Sequence, residues 1–279
     1  MSVTLIDGKI VRDIRIANLK ERLATLSYVP TLAIIQVGDR PDSTAFIRAK
    51  KAFALKIGIK ENHIKVNESI SEKELVDIVR NCNIDPTIHG IIVQLPLPLH
   101  IERDTVIDAI DPRKDADGLT AINTKRWLEG REDAIMPATA RGIRELFRHY
   151  NIDLFGKPVT VVGRSMLVGK PIAAMCLNEN ATVTICHSKT PNLVEETTKA
   201  DILIVATGTP GLIQAKHVKK GAVVIDVGIT RTAENLLTGD VDFDSVKSVA
   251  GAISPVPGGV GPMTVCALFE NLCDLCKPV

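Results

Sequence analysis

The sequence predicts an α/β protein of two α/β domains, the second a Rossmann-type parallel sheet, with a cleft between them. Three observations lead there. Apolar, β-branched runs alternate with helical stretches along nearly the whole chain, which is the order that gives parallel strands covered by crossover helices. The alternation runs twice, on either side of a break at residues 137–142, and clefts at the junction of two such units are common ligand sites. The second series opens on residues 159–171, an apolar run that breaks at Gly163, passes a polar turn and becomes helical by Pro171. Strand, glycine turn and helix N-terminus is how a dinucleotide-type sheet meets a pyrophosphate. The match to G-x-G-x-x-G is partial, because Ser165 stands where the second glycine would be.

Each element has its own signal. Residues 8–26 are predicted as a helix, with Ile16, Leu19, Leu23 and Leu26 at three- and four-residue spacing on one side. Thr31–Val37 reads as an apolar strand, residues 43–57 as a helix and residues 63–67 as a strand. Ser71-Glu-Lys-Glu74 has capping-box spacing and opens a helix to about residue 81. Residues 90–95 form an apolar strand that Pro96 and Pro98 stop. A polar, turn-rich connection follows at residues 111–119, then a short mixed segment at 123–130. Past the break, residues 142–151 read as a helix. Strands follow at 159–162, Thr182–Cys186, 202–206 and 223–227, with helices at 170–178 and 192–199. A glycine-rich stretch at 255–262 leads into a last helix over 264–276, with Thr264 as its expected N-cap.

Composition removes several function classes. The 279 residues carry a net charge of +1 with 3% aromatic residues, so no basic stripe or stacking platform points to nucleic acid. No apolar run approaches the roughly 20 residues that span a bilayer. The N-terminus has neither a basic region nor a long apolar one, which argues against a secretory signal and for the cytoplasm. Cys82, Cys176, Cys186 and Cys266 sit among apolar neighbours, and Cys273-x-x-Cys276 has no second ligand pair. No metal site is expected.

In a dinucleotide fold, the residue after the second strand selects the nucleotide. A carboxylate there bonds the 2′-hydroxyl of NAD, whereas a basic residue nearby accommodates the 2′-phosphate of NADP. Here Thr182–Cys186 runs into His187-Ser188-Lys189-Thr190, with no carboxylate. Arg164 beside Gly163 can fork onto a phosphate and Ser188 can add a hydroxyl. NADP is therefore expected over NAD. Solvated loop residues are the simpler reading of the same positions.

Three pieces of the first half carry functional groups. One holds Phe46 and Lys50, four apart and so on one helix face. The second is Gly90-Ile-Ile-Val-Gln-Leu-Pro-Leu-Pro98, where Gln94 closes a buried strand. The third is Pro112-Arg-Lys-Asp-Ala-Asp-Gly118. A lysine that moves protons must be neutral for part of the cycle, against a free pKa of about 10.4. Burial and a hydrogen bond to the neutral amine, for which Gln94 is placed, favour that form. Taken singly, Lys50 also fits a solvated face, Gln94 a strand cap, and Asp115 and Asp117 Asx turns. The residues alone lead to an NADP-linked oxidoreductase with a lysine and an aspartate in the cleft.

At these motifs the chain resembles the bifunctional methylenetetrahydrofolate dehydrogenase / methenyltetrahydrofolate cyclohydrolase family, nearly end to end. The resemblance rests on the Gly90–Pro98 motif, Lys114-Asp-Ala-Asp-Gly118, Gly163-Arg-Ser-x-x-Val-Gly169, Asp226-Val-Gly228 and Pro255-Val-Pro-Gly-Gly-Val-Gly-Pro-Met-Thr264. It implies oxidation of 5,10-methylenetetrahydrofolate with NADP, then hydrolysis of the methenyl product to 10-formyltetrahydrofolate. It also implies tetrahydrofolate derivatives as ligands and a homodimer. Residues 1–138 with the helix 264–279 would be the folate-binding and catalytic domain, and residues 139–263 the NADP-binding domain. Lys50, Gln94 and Asp117 match the catalytic positions, Lys50 for proton transfer and Asp117 for holding the pterin. Phe46, Ser43, Asp117 and Pro262 match substrate positions; Gly163, Arg164, Ser165, Ser188, Ile229 and Thr264 match cofactor positions. The chain departs from the family at Phe46, where tyrosine is usual, and at Ala116, Met166, Lys125 and Pro137-Ala-Thr-Ala140.

Overall fold

The structure, a computed structural model, describes residues 3–232 and 236–276. In chain order the elements are β1 (Thr4–Leu5), α1 (Gly8–Ala24), β2 (Thr31–Val37), α2 (Pro41–Ile57), β3 (Lys60–Val66), α3 (Glu72–Ile84), β4 (Gly90–Val93), α4 (Arg103–Asp108), α5 (Ala121–Leu128) and α6 (Ala138–His149). They continue with β5 (Pro158–Val162), α7 (Gly169–Asn178), β6 (Thr182–Cys186), α8 (Leu193–Thr197), β7 (Ile202–Val205), β8 (Val223–Asp226), β9 (Thr230–Arg231), β10 (Leu237–Thr238), α9 (Phe243–Val246), β11 (Ala252–Ile253) and α10 (Val260–Leu275). The chain divides into two units, Met1–Asp13 with Thr139–Thr264, and Ile14–Ala138 with Val265–Val279. The first thirteen residues thus join the unit that contains β5 to β11, because β1 pairs in parallel with β11.

The smaller sheet is parallel, in the order β3-β2-β4. β2 and β4 are buried on both faces, as covered parallel strands require, whereas edge strand β3 is polar and largely exposed. In β2, Leu32 and Ile34 join the core that holds Phe53, Phe269 and Leu272, while Ala33, Ile35 and Val37 join the core under α3 and α4. Phe53 and Phe269 stack with centroids 5.2 Å apart. α3 starts on a complete capping box between Ser71 and Glu74.

The larger sheet runs β1-β11-β8-β7-β5-β6, all parallel. Strand order reverses at β5, which lies between β6 and β7. A topological switch point of this kind is where open α/β sheets bind ligands. Gly163 follows β5 directly, with φ at +124°. A Cβ there would lie 2.1 Å from the Ala206 carbonyl oxygen, so only glycine fits the turn.

The final helix corrects one expectation. α10 begins at Val260, so Thr264 lies inside it and its hydroxyl donates back to the Val260 carbonyl at 3.4 Å. Pro262 is accommodated because the first turn of a helix needs no N–H from it. Of residues 123–130, read as mixed, 123–128 belong to α5, which Thr120 caps by accepting from the Asn123 N–H.

Candidate active site

The unit built on β3-β2-β4 brings Lys50, Gln94 and Asp117 together. α2 starts at Pro41 and puts Phe46 and Lys50 on successive turns of one face. β4 is extended past Val93 by the Gln94 N–H, which donates to the Ile35 carbonyl at 2.8 Å. Residues 114–116 then run beside β4. The Ile91 N–H donates to Lys114, the Ala116 N–H donates to Ile91, and Ile91 and Asp115 form a parallel bridge. Asp117 follows at the carboxyl end of that sheet.

The Lys50 ammonium donates to Gln94 Oε1 at 3.0 Å. Gln94 Nε2 donates to the Leu95 carbonyl at 2.8 Å. The amide therefore meets the lysine through its oxygen. That contact orients the amine but does not favour its neutral form, contrary to the expectation from sequence. Burial does: it pushes the Lys50 pKa below 10.5, and the charge of Asp117 opposes the shift. Burial pushes the Asp117 carboxyl above 3.8, the Lys50 charge pulls it down and the neighbouring Asp115 pushes it up. Lys50 is half-buried. Phe46 is 44% exposed and Ser43 is buried in the first turn of α2.

The turn that carries Asp117 is held by Asp115 and Asn271, neither of which is among the site residues expected from sequence. Asp115 is buried and accepts from the N–H groups of Gly118 (2.9 Å), Leu119 (3.2 Å) and Thr120 (2.9 Å), and from Asn123 Nδ2 (2.9 Å). Asn271 of α10 is also buried, and its amide donates to the carbonyls of Ala116 and Met136, each at 2.9 Å. The acid at 115 was visible as an Asx-turn residue. The asparagine, 155 positions away from Ala116, left no signal.

In the other unit, the cofactor candidates gather at the carboxyl ends of β5, β6 and β8. Ser165 Oγ accepts from the N–H groups of Val168 (3.2 Å) and Gly169 (3.4 Å) and so shapes the entry to α7. A Cβ on Gly169 would lie 2.2 Å from the Gly163 carbonyl oxygen. The turn therefore keeps backbone, not side chain, at the helix N-terminus, which is the cradle a phosphate needs. Arg164 and Ser188 are exposed, with no hydrogen bond or ion pair among the described residues. Ile229 and Pro262 line a pocket of about 170 Å³, together with Lys9 and the loop around Gly258–Gly261. Thr264 is half-buried one turn into α10.

Residues 6–117 match the catalytic domain of tetrahydrofolate dehydrogenase/cyclohydrolase, and residues 137–278 match its NAD(P)-binding domain. The chain belongs to the tetrahydrofolate dehydrogenase/cyclohydrolase family. Within that family, the bifunctional protein FolD of Bacillus subtilis is 48% identical over 274 residues, 97% of this chain and 96% of its own length. The bifunctional methylenetetrahydrofolate dehydrogenase/cyclohydrolase of Campylobacter jejuni superimposes with a TM-score of 0.97 at 41% identity, over 99% of each chain. The enzyme of Trypanosoma brucei, solved with NADP cofactor and an inhibitor, gives 0.95 at 36% identity over 99% of this chain and 98% of its own. Among the described residues, no cluster of His, Cys, Asp or Glu fits a metal ion and no helix is long and apolar enough to cross a membrane.

Proposed function

We propose that the chain oxidises 5,10-methylenetetrahydrofolate to 5,10-methenyltetrahydrofolate with NADP and hydrolyses that product to 10-formyltetrahydrofolate. The observation that carries the reading is the Lys50–Gln94 contact at 3.0 Å, with Asp117 near enough for its charge to act on Lys50. Asp117 offers the acceptor for the N–H edge of the pterin. The exposed ring of Phe46 stacks on a flat heterocycle, Ser43 lies on the same helix, and Pro262 of the other unit is a further substrate candidate. Gln94 fixes the Lys50 amine, whose lowered pKa lets it take a proton from the water that adds to the methenyl carbon. The water oxygen bonds to that carbon, a carbon–nitrogen bond of the ring breaks with the electron pair going to the nitrogen, and the added hydroxyl loses its proton as it becomes the formyl carbonyl; of the two water protons one ends on the freed nitrogen and one in solvent.

Gly163, Arg164, Ser165, Ser188, Ile229 and Thr264 hold NADP, which supplies the hydride acceptor when bound. The protein's part in that step is to position the substrate. Tetrahydrofolate derivatives are its ligands, and neither nucleic acid nor a membrane is a partner. A homodimer is supported by the family and by edge strand β6, whose Ile185 is 41% exposed. Six cysteines without disulfides support the cytoplasm.

The test is an absorbance assay on the purified chain with 5,10-methylenetetrahydrofolate and either NADP or NAD. Cofactor reduction and the appearance of 10-formyltetrahydrofolate are expected, with NADP preferred. No cofactor reduction with either nucleotide would sink the proposal. Arg164→Ala should lower kcat/KM for NADP about tenfold or more, the size of a charge-assisted hydrogen bond, while the NAD reaction changes little. Equal losses with both nucleotides would remove Arg164 from the 2′-phosphate site.

A second reading, a dehydrogenase with weak or absent cyclohydrolase activity, is favoured by Phe46. It stands on the face of Lys50 and has no hydroxyl to offer the amine. Phe46→Tyr separates the two: it should raise the cyclohydrolase rate more than the dehydrogenase rate if the hydroxyl is what limits proton transfer. An unchanged ratio would favour the full bifunctional reading with Gln94 as sufficient partner.

A further inference from the structure

Two buried carboxylates in the larger-sheet unit are used by no step described so far. Asp226 ends β8, and Asp240 lies two residues past β10. They are 3% and 0% exposed. Asp226 Oδ1 accepts from the N–H groups of Gly228 and Asp240, each at 3.0 Å, and its Oδ2 accepts from the Val241 N–H at 2.9 Å. Asp240 Oδ2 accepts from the N–H groups of Thr207 (2.5 Å) and Gly208 (3.0 Å). Its Oδ1 is sealed from solvent with no hydrogen-bond partner. Packing between the two loops is reciprocal. A Cβ on Gly228 would lie 2.4 Å from Asp240 Oδ1, and a Cβ on Gly239 would lie 1.9 Å from Asp226 Oδ2. Each carboxylate therefore rests against a glycine of the other's loop.

An unpaired buried carboxylate oxygen is costly, and such groups persist where the surroundings force them. Here the forced geometry joins the loop after β7, the turn after β8 and the exit of the β9–β10 hairpin. Loops at the carboxyl ends of parallel strands are where a nucleotide meets this type of sheet. Burial pushes Asp226 up to about 6; its three N–H donors oppose that shift and the charge of Asp240 adds to it. Two acids so close are unfavourable as mere struts.

We propose that Asp240 and Asp226 are positioning residues for the cofactor: together they fix the backbone of Thr207–Gly208 and of Gly228–Ile229 in the conformation that accepts NADP. The inference rests on the reading that this unit takes NADP. It extends the cofactor set to two acids that need not touch the nucleotide.

The experiment measures NADP binding by calorimetry and, separately, cyclohydrolase turnover of 5,10-methenyltetrahydrofolate, which needs no nucleotide. Asp240→Ala is expected to weaken NADP about tenfold or more, the scale of losing hydrogen bonds to a charged group, with cyclohydrolase turnover at the parental level. Asp240→Asn keeps a carbonyl acceptor for Thr207 and Gly208 and should recover most of the affinity. Parental NADP affinity in Asp240→Ala would overturn the inference, as would a fall in cyclohydrolase turnover in step with the affinity. Should that variant not fold, Gly228→Ala drives a methyl group against the same oxygen and is held to the same two outcomes. A parent chain that binds no NADP would overturn the proposed function itself, which the same titration shows before any variant is made.

Discussion

Lys50→Met is expected to abolish cyclohydrolase turnover while a measurable dehydrogenase remains, so that 5,10-methenyltetrahydrofolate accumulates. Methionine keeps most of the aliphatic stem and removes the amine. Oxidation requires the substrate carbon and the cofactor to be held in place, whereas water addition also requires proton transfer. A positioned base contributes roughly 10²–10⁴-fold to such a step, and that is the expected loss. In the parent, cyclohydrolase activity should rise with pH as the ammonium gives up its proton. Because burial lowers the Lys50 pKa from 10.5, the rise should level off below that value. Cyclohydrolase activity at the parental level in Lys50→Met would transfer the proton role to another group.

Asp117→Ala should damage both activities together, by roughly 10- to 150-fold in kcat/KM, the scale of a hydrogen bond to a charged partner at 1.5–3 kcal/mol. In the proposed function both reactions act on one bound pterin, and the Asp117 side chain makes no hydrogen bond to the protein among the described residues that would be lost instead. NADP affinity should hardly change, since the nucleotide candidates lie in the other unit. Loss of only one activity would give Asp117 a step-specific role in place of ring binding. The fall in each activity and the retained affinity can be read from the same preparation.

Much of the architecture could be read from residue patterns alone. β2 and β6 run over the residues expected, Thr31–Val37 and Thr182–Cys186, because short runs rich in apolar and β-branched residues favour strands. Ser71 and Glu74 placed the start of α3. What escaped was short or long-range. β1 and β11 are two residues each, too short to show a period, yet their pairing moves residues 1–13 into the larger-sheet unit. Glycines at 258, 259 and 261 read as loop, although α10 begins among them at Val260.

The site shows the same division. Phe46 and Lys50 share a face by spacing, but the approach of Lys50 to Gln94 depends on how α2 packs beside β2 and β4. The direction of the Gln94 amide depends on the Leu95 carbonyl. Asn271 and Asp240 act across 155 and 33 positions, and no local pattern announces them.

The claim on which the hydrolytic half rests is that burial makes the Lys50 amine available to a proton. A nitrogen-detected NMR titration of the lysine side chains, assigned by the signal missing in Lys50→Met, measures this directly. The Lys50 signal should titrate below the free value of about 10.4, and Asp117→Asn, by removing the charge that opposes the shift, should move it lower still. A Lys50 that titrates at or above the free value, unmoved by Asp117→Asn, would contradict the account.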